Sequence, residues 1–255
     1  MQVYRGGRYM TVNILVLHGM NQAGKNEVVT KKFKQLLNGT NVTYYLAFLE
    51  GATNTLKQVV ELLIKEGLYN FNIIPILLFP AKHYFEDIPN TLKDIKAHHP
   101  TLNYKIAKPL GTHRYITKII KNKITNTLKK CNEIESVVLL AHGSSMYTEP
   151  QQALHHLAQA CDEYDVPIQT MLLYGEDNYT EQLGKVLNKY PNTLIVPVFL
   201  WDGFLVQKTK QFIRRQAFSD YITFCSAINF IPDLAIVIKD RINEVEVLTN
   251  VYHAS

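Results

Sequence analysis

Two kinds of stretch alternate along this chain. Short runs of aliphatic and β-branched residues, too uniformly apolar to alternate, are separated by longer stretches in which apolar positions recur every three or four residues. The first kind marks strands covered on both faces, the second amphipathic helices. Residues 11–17 read as a strand, and 27–37 as a helix with Val28, Val29, Phe33, Leu36 and Leu37 at helical spacing. Residues 42–49 are a strand, and 54–65 a helix carrying Leu56, Val59, Val60 and Leu63. A strand at 72–78 precedes a helix at 87–97, for which Asp87 is a suitable cap and Pro89 fits the first turn. A strand at 102–107 and a long helix at 113–128, with Ile116, Ile119, Ile120 and Ile124 inward, complete the series. Strand–helix pairs in succession predict a parallel sheet with helices on both sides.

The order then restarts. Residues 136–140 form a strand ending in Ala-His-Gly-Ser, 151–163 a helix, and 168–173, 193–200 and 221–227 further strands. The pieces match in order: VLHGM with LAHGS, NIIPILLF with LIVPVFLW, and the segment around Ala107 with that around Ala227. The offset is nearly constant from His18 to His142, Pro75 to Pro197 and Ala107 to Ala227, which unrelated apolar runs have no reason to keep. The expected fold is α/β, an internal duplication of two similar lobes. Each lobe is a four-stranded parallel sheet flanked by helices, with an active-site cleft between them. The lobes are set at residues 10–128 and 135–255, joined near 129–135. Residues 1–9, ahead of Met10, are read as a tail or an upstream start and take no part in the fold argument.

Composition narrows the classes. Hydrophobic residues make up 47% and charged residues 19%, ordinary for a globular protein. No apolar run approaches the ~20 residues of a membrane span, and the N-terminal MQVYRGGRYMTVN lacks a signal-peptide core, so neither a membrane role nor export is expected. Cys131, Cys161 and Cys225 are far apart and form no metal-binding pair, which fits a reducing cytoplasm. The net charge of +5 comes from lysines scattered over helices. That pattern describes solvated faces rather than a nucleic-acid surface, and it suits an acidic small-molecule substrate.

In parallel α/β sheets ligands gather at the carboxyl ends of strands. His18 ends the first strand, Glu50 the second, and His83 follows the third. Two imidazoles and a carboxylate are a suitable ligand set for a first-row divalent metal, and equally a set of acids and bases near neutral pH. Each residue alone also has a plainer reading: a strand-end hydrogen bond for His18, a helix-start charge for Glu50, a surface loop for His83. Their joint placement favours chemistry, and so does the second half, where His142 is kept, Leu205 replaces His83, and Glu176 or Asp177 matches Glu50. His113, beside Arg114, is either a helix-start residue or a substrate contact.

Read together, LVLHGM, FLEGATNTL, IIPILLFPAKHYFEDIP and KPLGTH resemble the sirohydrochlorin chelatase family, the class II chelatases. The four blocks cover about residues 12–124, and the second half resembles the degenerate repeat of the long forms. Met20 stands where many members have serine, and Ala81-Lys82-His83 where glycines are frequent. The resemblance implies an ATP-independent lyase, a sirohydrochlorin ferrochelatase of siroheme biosynthesis. It would insert Fe²⁺, or alternatively Co²⁺, with no cofactor beyond the substrate metal. By position, His18, His83 and Glu50 become the catalytic and metal-binding residues. The histidines hold the ion and take pyrrole protons, and Glu50 binds the ion or orients a histidine. Lys25, Lys82, Arg114 and His113 become candidate contacts for the substrate carboxylates. The implied protein is a cytoplasmic monomer whose partners are sirohydrochlorin and a divalent metal, without nucleic acid or membrane. Two rivals stand beside it. A non-enzymatic metal or tetrapyrrole carrier would use the same ligands. An α/β-hydrolase is disfavoured because no GxSxG elbow exists.

Overall fold

The computed structural model describes residues 10–20, 24–215 and 221–252, with side-chain environments as far as Val247. Residues 21–23 lie outside these residues, as does the tail at 1–9. The first half folds as β1 (Thr11–Gly19), α1 (Lys25–Leu36), β2 (Tyr44–Glu50), α2 (Leu56–Lys65), β3 (Asn70–Ile76), α3 (Ile88–His98), β4 (Asn103–Ile106) and α4 (Arg114–Leu128). The second half repeats the alternation as β5 (Ser136–Gly143), α5 (Glu149–Gln159), β6 (Ile168–Tyr174), α6 (Tyr179–Lys189), β7 (Thr193–Pro197), α7 (Phe204–Arg214), β8 (Ile222–Phe224) and α8 (Pro232–Tyr252). Among the described residues no helix is long and apolar enough to cross a membrane.

Both sheets are four-stranded and parallel, ordered β2-β1-β3-β4 and β6-β5-β7-β8. The same order twice is the internal repeat expressed as topology. The central strands β1, β3, β5 and β7 are buried on both faces, which is why their sequences do not alternate. A proline sits in each third strand just past its pairing with the outer strand: the last pairs are Ile73 with Ile106 and Ile195 with Phe224, and Pro75 and Pro197 follow. A residue without an N–H is tolerated there, and the outer strands end early. Predicted strands at 102–107 and 221–227 accordingly contract to Asn103–Ile106 and Ile222–Phe224.

Helix α2 combines a cap with one apolar face. Thr55 accepts from the Gln58 amide while the Gln58 side chain accepts from the Thr55 amide, a reciprocal capping box. Leu56, Val59, Val60, Leu63 and Ile64 of α2 are then buried against β1, β2 and α3 in one core cluster. In α4 the four inward isoleucines are buried as their spacing predicts. Polar groups inside the sheets are paired across strands: Asn72 donates to Asn13 Oδ1 at 3.0 Å, and Ser136 Oγ lies 2.8 Å from Thr193 Oγ1.

The chain divides into two compact units. The first holds the described residues up to Leu77, His83–Pro109 and those from Ile238 onward; the second holds Leu78–Lys82 and Leu110–Val237. Sheet β2-β1-β3-β4 belongs to the first and β6-β5-β7-β8 to the second. Helix α4 counts with the second unit, and most of α8 with the first.

Candidate metal centre

Three ligand-bearing side chains of the first unit meet at the carboxyl ends of neighbouring strands. His18 is the penultimate residue of β1, Glu50 is the last of β2, and His83 opens a π-helical turn, His83–Asp87, between β3 and α3. One ligand atom from each lies within 4.8 Å of the other two. Among the described residues this is the one group of three or more His, Cys, Asp or Glu so arranged.

Local hydrogen bonds decide which atoms face inward. His18 Nδ1 lies 3.0 Å from the Gly19 carbonyl oxygen. A carbonyl only accepts, so Nδ1 carries the proton and Nε2 keeps its lone pair, 3.9 Å from Glu50 Oε1. His83 Nδ1 lies 2.6 Å from Asp87 Oδ2, which likewise leaves Nε2 as the ligand atom. The two imidazole rings meet edge to face, centroids 4.4 Å apart and planes at 85°.

Gly19 makes the convergence possible. Its φ is +84°, and it sits opposite Glu50 in the β1–β2 ladder. A Cβ there would overlap the Glu50 carbonyl oxygen, so only glycine lets the two strand ends approach this closely. The ligands differ in enclosure. His18 and Glu50 are 48% and 41% exposed, and His83 only 27%. Burial lowers the His83 pKa, and the nearby His18 lowers it further, against Asp87 and Glu50, which raise it. His83 is therefore a neutral imidazole at neutral pH, ready to bind a cation or accept a proton.

Asp87 was not among the site residues suggested by the sequence, which offered it as the cap of α3. The structure corrects this. Asp87 makes no side-chain cap hydrogen bond, because the π-helical turn precedes α3 without a break and Asp87 already has helical dihedrals. Its carboxylate goes to His83 instead. The available signal was the i,i+4 spacing of His83 and Asp87, which places both on one face of a turn.

The second unit shows the same frame with different side chains. His142 Nδ1 lies 2.9 Å from the Gly143 carbonyl oxygen, and Gly143 has φ +72°. Gly143 pairs with Tyr174 as Gly19 pairs with Glu50, so Tyr174 is the counterpart of Glu50. This replaces the expected match at Glu176 or Asp177. Asp177 lies beyond the ladder, where its carboxylate accepts from Gln151 at 2.8 Å and lies 3.1 Å from His155 Nε2.

The suggested substrate contacts are placed as follows. Lys25 is the exposed first residue of α1, and Lys82 is an exposed residue directly before His83. His113 is buried and caps α4, its Nδ1 accepting from the Tyr115 amide at 3.3 Å. Arg114 is exposed, with its guanidinium 5.6 Å from the Tyr115 ring centroid.

Comparisons with known proteins agree with this frame. A sirohydrochlorin cobaltochelatase of Priestia megaterium is 24% identical over 94% of this chain and 81% of its own length. A sirohydrochlorin ferrochelatase of the same organism is 25% identical over 81% of this chain and 79% of its own. The solved structure of SirB from Bacillus subtilis with Fe³⁺ superposes with a TM-score of 0.78 at 21% identity, covering 92% of this chain and 94% of that one. The sequence pattern of the CbiX family matches residues 12–127 and 136–245, on both sides of the repeat junction. The chain belongs to the CbiX family.

Proposed function

We propose that this protein is a sirohydrochlorin chelatase that inserts a divalent metal into the macrocycle without ATP. The observation that carries the reading is the convergence of His18, Glu50 and His83 within 4.8 Å. Two imidazole nitrogens and a carboxylate bind first-row divalent ions through exchangeable bonds, which a transfer site requires. Glu50 neutralises part of the incoming charge. Asp87 fixes the His83 ring, as a carboxylate behind a metal-bound histidine does.

Insertion brings one divalent ion into the macrocycle and releases two pyrrole protons. As the ion leaves His18 and His83, each Nε2 regains a free lone pair. The vacated ligands are therefore the two bases, and their number matches the protons to be taken. The low pKa of His83 keeps it unprotonated for this step. Lys25, Lys82, Arg114 and His113 are the proposed contacts for substrate carboxylates, the first three exposed and His113 buried. Fe²⁺, for siroheme, is the proposed physiological ion. The relatives bear both ferrochelatase and cobaltochelatase names at nearly equal identity, so Co²⁺ is the competing choice.

The test mixes the protein with sirohydrochlorin and Fe²⁺ or Co²⁺ anaerobically and follows absorbance. Metallation well above the protein-free rate is expected, with the larger kcat/KM for Fe²⁺. A protein that binds the macrocycle yet leaves the rate at the control value is a carrier, and the enzyme reading then fails.

A further inference from the structure

The second unit retains one member of the triad in its working geometry. The His142 ring is clamped through Nδ1 to the Gly143 carbonyl at 2.9 Å, as His18 is clamped to Gly19 at 3.0 Å. A neutral His142 held this way carries its proton on Nδ1 and keeps a lone pair on Nε2. The residue is exposed. Its two neighbours have changed. Tyr174 occupies the place of Glu50 in the strand register, and Leu205 follows Pro197 at the interval by which His83 follows Pro75.

Among the described residues no group of three ligand side chains forms here, so this set lacks the donors that the triad offers a hydrated ion. A metal already seated in a tetrapyrrole has a different requirement. The macrocycle supplies four nitrogens, and the open axial position takes a single imidazole. Beside His142 lies one aromatic ring on which a flat macrocycle can pack. The Tyr174 ring lies 5.0 Å from that of His142, tilted by 48°, and Tyr174 is 47% exposed.

We infer that His142 is the axial ligand of a binding site for the metallated product, with Tyr174 packing against the macrocycle. His142 Nε2 donates its lone pair to the metal and displaces an axial water if one is bound; no proton or electron is transferred. The inference rests on the chelatase reading for the identity of the macrocycle. It gives the altered repeat a task of its own, retention of the product rather than capture of the ion.

The experiment adds preformed ferric siroheme to the untagged full chain carrying His18→Ala and His83→Ala, which silences the histidines of the first unit. Visible and electron paramagnetic resonance spectra then report imidazole ligation. The signature of imidazole-bound iron is expected in this background at one per chain. Adding His142→Ala should remove it and weaken siroheme binding roughly tenfold or more. Free imidazole should restore the signature on siroheme that stays with the chain after gel filtration, which shows that the site is folded. A signature that survives His142→Ala, or that vanishes with His18→Ala and His83→Ala alone, overturns the proposal. Catalysed metallation by the unaltered chain separates the two failures. If it is present while His142→Ala changes nothing, only the product site falls. If metallation and binding of both macrocycle forms are absent, the chelatase reading falls as well.

Discussion

His83 Nδ1 lies 2.6 Å from Asp87 Oδ2, one helical turn further along the chain. This bond sets which nitrogen of His83 faces Glu50 and His18. In Asp87→Ala the ring can rotate and present either nitrogen, so the ion should bind about 10- to 100-fold more weakly. The effect should fall mainly on KM for the metal, with a smaller change in kcat. Asp87→Asn can still accept a hydrogen bond from Nδ1–H through its amide oxygen and should recover part of the loss. A Co²⁺ titration followed by the ligand-field bands checks both. Equal KM values in the parent and Asp87→Ala would remove Asp87 from a positioning role.

Substitutions in the triad should separate chemistry from folding. His18, Glu50 and His83 are all partly exposed, and none of them is a core side chain. His83→Ala should lower kcat/KM by at least about two orders of magnitude, the range typical of a general base. It should leave the melting temperature within a few degrees, as expected for a substitution outside the core. Glu50→Gln keeps the shape and removes the charge, so it should raise KM for the metal. Wild-type metallation by His83→Ala would refute the assignment while leaving the fold untouched.

Much of this was readable in advance, for identifiable reasons. Strands such as Ser136–Gly143 are buried on both faces, so an unbroken apolar run was a faithful signal. His18 and Glu50 were readable because a strand end is where an apolar run stops. The turn His83–Asp87 was not, since its sequence HYFED has no periodic apolar positions and Asp87 reads most simply as the cap of α3. Tyr174 was missed for a different reason. Matching Glu50 by charge drew attention to Glu176 and Asp177, whereas the backbone ladder fixes the counterpart by register, and register is indifferent to side-chain chemistry.

The acid limb of metallation should lie below the ordinary histidine value of 6.5. Protonated His83 can neither bind the ion nor accept a pyrrole proton. Its pKa in the folded chain is lowered by burial and by His18, so the neutral form persists below pH 6.5. The same shift has a stability consequence. Below 6.5 the unfolded chain binds a proton more readily than the folded one, so the contribution of His83 is fully present above 6.5. It is lost as the pH falls through the folded value. A pH–rate profile and melts at pH 5–7, compared with His83→Asn, measure the two effects. A His83-dependent limb above 6.5 would contradict the burial argument.

Gly19 and Gly67 share a φ of +84° but differ in their surroundings. A Cβ on Gly67 meets nothing within 4 Å, whereas a Cβ on Gly19 overlaps the carbonyl of Glu50. Gly67→Ala therefore reports backbone strain alone, of order 1–3 kcal/mol. That is a fall in melting temperature of roughly 2–4 °C per kcal/mol for a chain of this size class. Gly19→Ala adds the displacement of the β1 end from the β2 end, so it should melt lower than Gly67→Ala. It should also carry Glu50 away from His18 Nε2 and raise KM for the metal, which Gly67→Ala should leave alone. The comparison isolates the close approach of two strands as the feature that assembles the site. Equal effects of the two substitutions on metal binding would show that the strand approach is not what positions Glu50.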